Sequence, residues 1–169
     1  MTRVYVAAGS NVQPASNLVR ALNELRQHFP DLVTSTAYRN QAAGFEGDDF
    51  INLVCSFESD LDVRSVIARL HEAEAACGRE RNAPRWAPRS MDLDILLFGD
   101  MVCDEPGLVL PRPDLTRKAY MLGPRAELAP EEVHPLSGRT MRALWNEFDQ
   151  QAHPMQAVDI GWTGTGRPD

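Results

Sequence analysis

An α+β fold built on a mainly antiparallel sheet is what this sequence predicts, and three observations carry the prediction. Apolar spacing switches between strand-like and helix-like periods in the order β-α-β-β-α-β, with further β and α pieces behind it. That order is the split βαβ pattern of ferredoxin-like folds, in which helices cover the sheet in αβα layers. The 169 residues, 43% hydrophobic and 24% charged, suit one globular domain with a sizeable core. The domain is placed at residues 1–152, with a loose Gly- and Pro-containing tail expected over 153–169.

Val4 to Ala8 reads as a buried strand, ended by a tight turn at Gly9-Ser10-Asn11. Ser16 or Asn17 offers an N-cap to a helix with Leu18, Ala21, Leu22, Leu25 and Phe29 on one face, and Pro30 ends it. Leu32 to Arg39 is β-branched and roughly alternating, hence a strand. Asn40 to Asp49 is a polar loop, and Phe50 to Phe57 a second strand antiparallel to the one before it. Asp60 or Asp62 caps a helix whose apolar face is Val63, Val66, Ile67, Leu70, Ala73 and Cys77, with Gly78 as its C′ residue. Residues 79–90 show no periodicity and exceed the usual connection length, which marks a functional or a disordered loop. Met91 to Phe98 is a strand and Gly99-Asp100 a turn. A short returning strand at Met101–Cys103 and an extended Pro106–Pro113 segment follow. Helices are expected at Tyr120–Leu128 and Met141–Phe148, the latter with Leu144, Trp145 and Phe148 inward.

Net charge is −7, which argues against wide nucleic-acid or anionic-membrane surfaces. No apolar run approaches the ~20 residues of a membrane span, and the start lacks a signal-peptide core. The three cysteines, Cys55, Cys77 and Cys103, are scattered without a CxxC pair. They read as small buried hydrophobes of a reduced, cytoplasmic protein, not as disulfides or a zinc site.

The acidic chain carries one concentrated basic stretch. Between Gly78 and Met91, Arg79, Arg81, Arg85 and Arg89 face a single Glu80, and the stretch runs into Asp92-Leu93-Asp94. Residues i and i+2 of a strand share a face, so both carboxylates would aim at one spot that the arginines reach from the loop. Carboxylates suit a Mg²⁺ ion and guanidinium forks suit phosphates, so the pattern points to a Mg²⁺–polyphosphate complex. A solvated acidic edge is the plainer alternative, but Leu93, Ile95, Leu96 and Leu97 make this strand look buried on both sides. Trp86 reads either as a plug on the core or as a lid over a ligand, and Pro84 and Pro88 stiffen the loop. Glu74 on the second helix reads as a half-buried partner of an arginine. Phe50, Asn52 and Tyr120 could hold a planar heterocycle by stacking and by an amide that donates and accepts, or could simply be core. Neither GxGxxG nor a Walker A sequence is present.

The run RWAPRSMDLDILLFG closely resembles the signature of the 6-hydroxymethyl-7,8-dihydropterin pyrophosphokinase family. VYVAAGSN, AYRNQAAGFEGDDFINLV, EAACGRER and LPRPDLTRKAYMLGPRAELAPE fall in the family's order, so the resemblance covers about residues 3–132. It implies transfer of the β,γ-pyrophosphoryl group of ATP to the pterin hydroxymethyl oxygen, leaving AMP, in folate biosynthesis. It further implies that Asp92 and Asp94 hold two Mg²⁺ ions and that Arg79, Arg81 and Arg89 handle phosphates or close the loop. By the same resemblance Trp86 is the lid, Glu74 and Ile95 line the nucleotide site, Asn52 reads the pterin edge, and Phe50 and Tyr120 sandwich its ring. Ala43 and Gly44 belong to the acceptor loop. Arg112 stands where the family usually has a phosphate-contacting histidine, and Lys118 replaces a frequent arginine. His71 replaces an amide on the nucleotide side. Asn40-Gln41-Ala42-Ala43-Gly44 replaces a Thr-Pro-Pro-Leu-Gly type of segment. The alternatives are a divergent paralogue acting on another heterocyclic alcohol and a non-catalytic nucleotide-binding protein. Keeping both aspartates speaks against the latter.

Overall fold

The computed structural model describes residues 1–40, 50–78 and 91–162. The first strand, β1 (Thr2–Ser10), is apolar along nearly its whole length because both of its faces are covered. It runs through Gly9, so the turn expected at Gly9-Ser10-Asn11 begins later. Helix α1 (Pro14–His28) starts at a proline, which needs no N–H partner in the first turn. Ser16 and Asn17, the expected caps, lie inside that turn, where Asn17 Nδ2 donates to the Val12 carbonyl at 2.6 Å. The single strand expected at Leu32–Arg39 is two short ones, β2 (Val33–Thr34) and β3 (Ala37–Asn40). Strand β4 (Phe50–Ser59) pairs antiparallel with both. Asp62 caps α2 (Val63–Ala76), its carboxylate accepting from Ser65 N at 2.8 Å. Gly78, at φ 83°, takes the left-handed position after the helix.

Strand β5 (Asp92–Phe98) completes the split βαβ pattern. The expected return at Met101–Cys103 and the extended Pro106–Pro113 segment are instead a small hairpin, β6 (Cys103–Glu105) and β7 (Leu108–Leu110). Pro106-Gly107 makes its turn, with Gly107 at φ 77°. A 3₁₀ turn at Pro113–Thr116 leads into α3 (Ala119–Leu128), and α4 (Met141–Glu147) follows. The segment from His153, expected to be a loose tail, takes up structure as far as Trp162. β8 (Gln156–Val158) pairs with β3, and the Trp162 indole donates to Asn23 Oδ1 at 3.2 Å with Arg26 over its ring. An aromatic residue packed on α1 outweighs the Gly and Pro content that points to a loose chain.

The six-stranded sheet has the order β5-β1-β4-β3-β8, with β2 also on β4, and every pairing is antiparallel. One face packs Val6, Ala8, Leu53, Leu93 and Ile95 against Leu18, Leu22 and Leu25 of α1 and Val66 and Leu70 of α2. The other packs Tyr5, Ala7, Val54 and Leu96 against Met121 and Leu122 of α3 and Met141 of α4. Each large aliphatic side chain buried this way contributes about 1.5–3 kcal/mol, so the layered core dominates the stability. Among the described residues no helix is long and apolar enough to cross a membrane. Cys55 and Cys77 are buried, Cys103 is half-buried, and all three are free thiols.

Candidate active site

The site spans β5, β1, β4 and β3 on the face of the sheet that α3 covers. In the antiparallel register Asp92 stands opposite Gly9, and Gly9 opposite Asn52. Tyr38 stands opposite Asn52 on the other side, and Asn40 opposite Phe50. Directly opposed residues point the same way, so Asp92, Asn52, Asn40 and Phe50 share one face, and Asp94 joins them two residues along β5. Tyr120 and Met121, from the first turn of α3, close the space above. The result is a cleft of about 240 Å³ lined by Gly9, Asn40, Phe50, Asn52, Asp92, Asp94, Tyr120 and Met121, among others.

Gly9 makes the cleft possible. A Cβ there would stand 2.3 Å from Asn52 Oδ1, so only glycine leaves room for the amide. Asn52 is buried, and its Nδ2 donates to Asn40 Oδ1, which fixes the direction of the Asn52 carboxamide. Asn40 and Gly9 are the parts of the site that motif reading passes over. A glycine inside an apolar strand run was the available signal.

Asp92 and Asp94 are only half-buried and present hard oxygen donors to the cleft. Arg112 Nη1 lies 3.6 Å from Asp94 Oδ1, and Arg112 Nε 3.9 Å from Asp114 Oδ2. The Arg112 backbone N–H donates to the Leu96 carbonyl at 2.9 Å, which pins this residue beside β5. Tyr120 is half-buried; burial raises its phenol above the usual value, and the carboxylates of Asp114, Asp94 and Asp92 add to that.

Other expected site residues stand apart. Glu74 is buried and Oε2 accepts from the Leu93 N–H at 2.9 Å, so this carboxylate ties α2 to β5 beneath the aspartates. The Ile95 side chain belongs to the core on the α1–α2 face, opposite the cleft. Lys118 is exposed at the N-terminal end of α3, two residues before Tyr120. Arg79, Arg81, Trp86, Arg89, Ala43 and Gly44 lie outside the described residues.

Comparison with known proteins decides the family. The sequence model of the 7,8-dihydro-6-hydroxymethylpterin-pyrophosphokinase (HPPK) family matches residues 5–130. The chain belongs to the HPPK family. A 2-amino-4-hydroxy-6-hydroxymethyldihydropteridine pyrophosphokinase of Aquifex aeolicus is 30% identical over 84% of this chain and 89% of its own length. One from Pseudomonas aeruginosa is 34% identical over 76% of this chain and 82% of its own. The HPPK fold is also seen in a solved Plasmodium falciparum HPPK-DHPS chain, with a TM-score of 0.65 and 13% identity over 86% of this chain. This HPPK chain spans 45% of that longer protein. The ferredoxin-like α+β expectation therefore holds.

Proposed function

We propose that this chain transfers pyrophosphate from ATP to the hydroxymethyl group of 6-hydroxymethyl-7,8-dihydropterin, releasing AMP, as its family does in folate biosynthesis. The observation that carries the reading is the shared cleft: two carboxylates, an oriented carboxamide and the Phe50 ring on one sheet face, with the Tyr120 ring closing the space above.

The acceptor heterocycle lies between Phe50 and Tyr120, with ring faces supplying stacking. Asn52, held by Asn40, offers a carbonyl and a remaining N–H to the edge of the ring. The hydroxymethyl oxygen attacks the β-phosphorus, and the bond from that phosphorus to the α,β-bridging oxygen breaks, so AMP leaves. Such transfers depend on placement and charge neutralisation more than on covalent catalysis, and no nucleophilic side chain is required.

Two half-exposed carboxylates on one strand face, with no cluster of three His, Cys, Asp or Glu among the described residues, fit Mg²⁺. That ion uses one or two carboxylates and takes the rest of its shell from water and phosphate. When bound, Mg²⁺ would neutralise phosphate charge at Asp92 and Asp94. Arg112 and Lys118 add positive charge on the same side. Arg79, Arg81 and Arg89 are assigned to the phosphates, Trp86 to the lid, and Ala43 and Gly44 to the acceptor loop, on their sequence positions.

Incubation with Mg-ATP and the hydroxymethyl dihydropterin should give AMP and the pterin diphosphate in equal amounts. ATP binding without pterin turnover would sink the reading and favour another heterocyclic alcohol or a binding-only role.

A further inference from the structure

Arg112 faces Asp94 in a way that its role toward phosphate does not explain. The segment holding it is pinned: its N–H donates to the Leu96 carbonyl of β5, and its guanidinium leans over the carboxylate two residues further back on the same strand. The contact is loose. At 3.6 Å, Nη1 is beyond the 2.7–2.9 Å of a charge-assisted hydrogen bond, and the second carboxylate, Asp114, is 3.9 Å from Nε. Nε is buried with no hydrogen-bond partner among the described residues. The cation is therefore held near Asp94 by charge and by its backbone anchor, not by a fork of directional bonds that would lock it there.

We propose that Arg112 acts as the resident counter-ion of Asp94, keeping divalent metal off the carboxylate pair until a nucleotide arrives. This rests on the reading of Asp92 and Asp94 as metal-holding residues. A fixed positive charge beside a carboxylate opposes a divalent cation on that same carboxylate. Incoming phosphates give the guanidinium a second anion, and the loosely held side chain has few bonds to lose in turning to it.

Mn²⁺ titration of the nucleotide-free protein, followed by the electron-spin signal of free Mn²⁺, tests this. Arg112→Gln should bind Mn²⁺ about fivefold or more tightly than the unaltered chain, the order expected for one partly screened charge. Arg112→Lys, which keeps the charge, should bind as weakly as the unaltered chain. Arg117→Gln, which removes an exposed charge nearby, should change affinity less than about twofold. Arg112→Gln binding no tighter than Arg117→Gln, or Arg112→Lys as tight as Arg112→Gln, overturns the proposal. Asp94→Asn placed in the Arg112→Gln chain separates the two ideas. Lost Mn²⁺ binding there supports the metal assignment. Unchanged binding there overturns the assignment, and the counter-ion role with it.

Discussion

At Gly9 an added methyl group would meet Asn52 Oδ1 at 2.3 Å, well inside any real contact. Gly9→Ala should therefore push Asn52 out of its position in the cleft. We expect KM for the pterin to rise about tenfold or more while ATP binding is unchanged, since one displaced amide costs ~1–3 kcal/mol. Asn40→Ala, which frees the Asn52 carboxamide to rotate without crowding it, should act in the same direction and more weakly; steady-state kinetics with each substrate varied in turn measures both. Asp94→Ala should lower kcat by ~10²-fold or more with the thermal transition intact, because under the proposed function it removes a metal-holding carboxylate from a half-buried position that carries none of the core. Residual activity within tenfold would show that the two-carboxylate account is wrong. At this scale the Asp92–Asp94 pair is legible in the i, i+2 spacing of a strand, whereas Phe50, Asn52 and Tyr120 read equally as core in the sequence and only the family resemblance singles them out. The packing of Glu74 and Ile95 is not legible there. Their side chains answer to neighbours far away in the chain: the Leu93 N–H for one, the α1–α2 core for the other.

Helix α3 carries Tyr120 and Met121 to the cleft, so whatever seats α3 also shapes the site. Near its far end Arg125 is almost wholly buried, stacked on the Tyr5 ring at 3.5 Å, with Nη2 donating to Glu132 at 2.6 Å. The Tyr5 hydroxyl donates to the same carboxylate. Glu132 is half-exposed, whereas the guanidinium is not. Truncating the acid therefore strands a buried cation, while replacing the arginine leaves a solvated carboxylate. Glu132→Ala should cost about 3 kcal/mol and Arg125→Met clearly less, as read from urea midpoints. Equal losses would show that packing, not charge, governs the clamp. Gly123, in the middle of α3, lets the Trp145 ring of α4 within 2.9 Å of where a Cβ would stand. The start of α2 was readable from Asp62, whereas α1 begins at Pro14, ahead of the Ser16 or Asn17 cap that the sequence offers. The hairpin at β6–β7 and the pairing of β8 were not readable, since strands of three residues carry almost no periodic signal.

Over the whole molecule, burial sets an alkaline limit. Burial pushes the Cys55 thiol from 9.0 up to about 12. It pushes the Tyr5 phenol from 10.0 up to about 12, against the opposing pull of Arg125. Above pH 9 the unfolded chain gives up these protons while the folded chain keeps them. The unfolded state then binds fewer protons, so stability is complete below pH 9 and declines as pH rises toward 12. Each group contributes a slope of ~1.4 kcal/mol per pH unit. Denaturant midpoints across this range should fall, and Cys55→Ala should make the decline above pH 9 shallower. A variant with the unaltered slope would show that this thiol exchanges protons freely in the fold.

The α+β class, the β-α-β-β-α-β order and the Asp92–Asp94 pair follow from the chain by itself. Period, capping and i, i+2 spacing are local properties, and the family match runs along the contiguous sequence over residues 5–130. Only the tertiary structure decided that Gly9 clears space for Asn52, that Asn40 orients that amide, that Arg112 leans on Asp94, and that the chain past His153 closes the sheet edge. Each of these joins residues on different elements. Strand register and helix seating bring them together, and those are fixed by how the two core layers pack on the sheet.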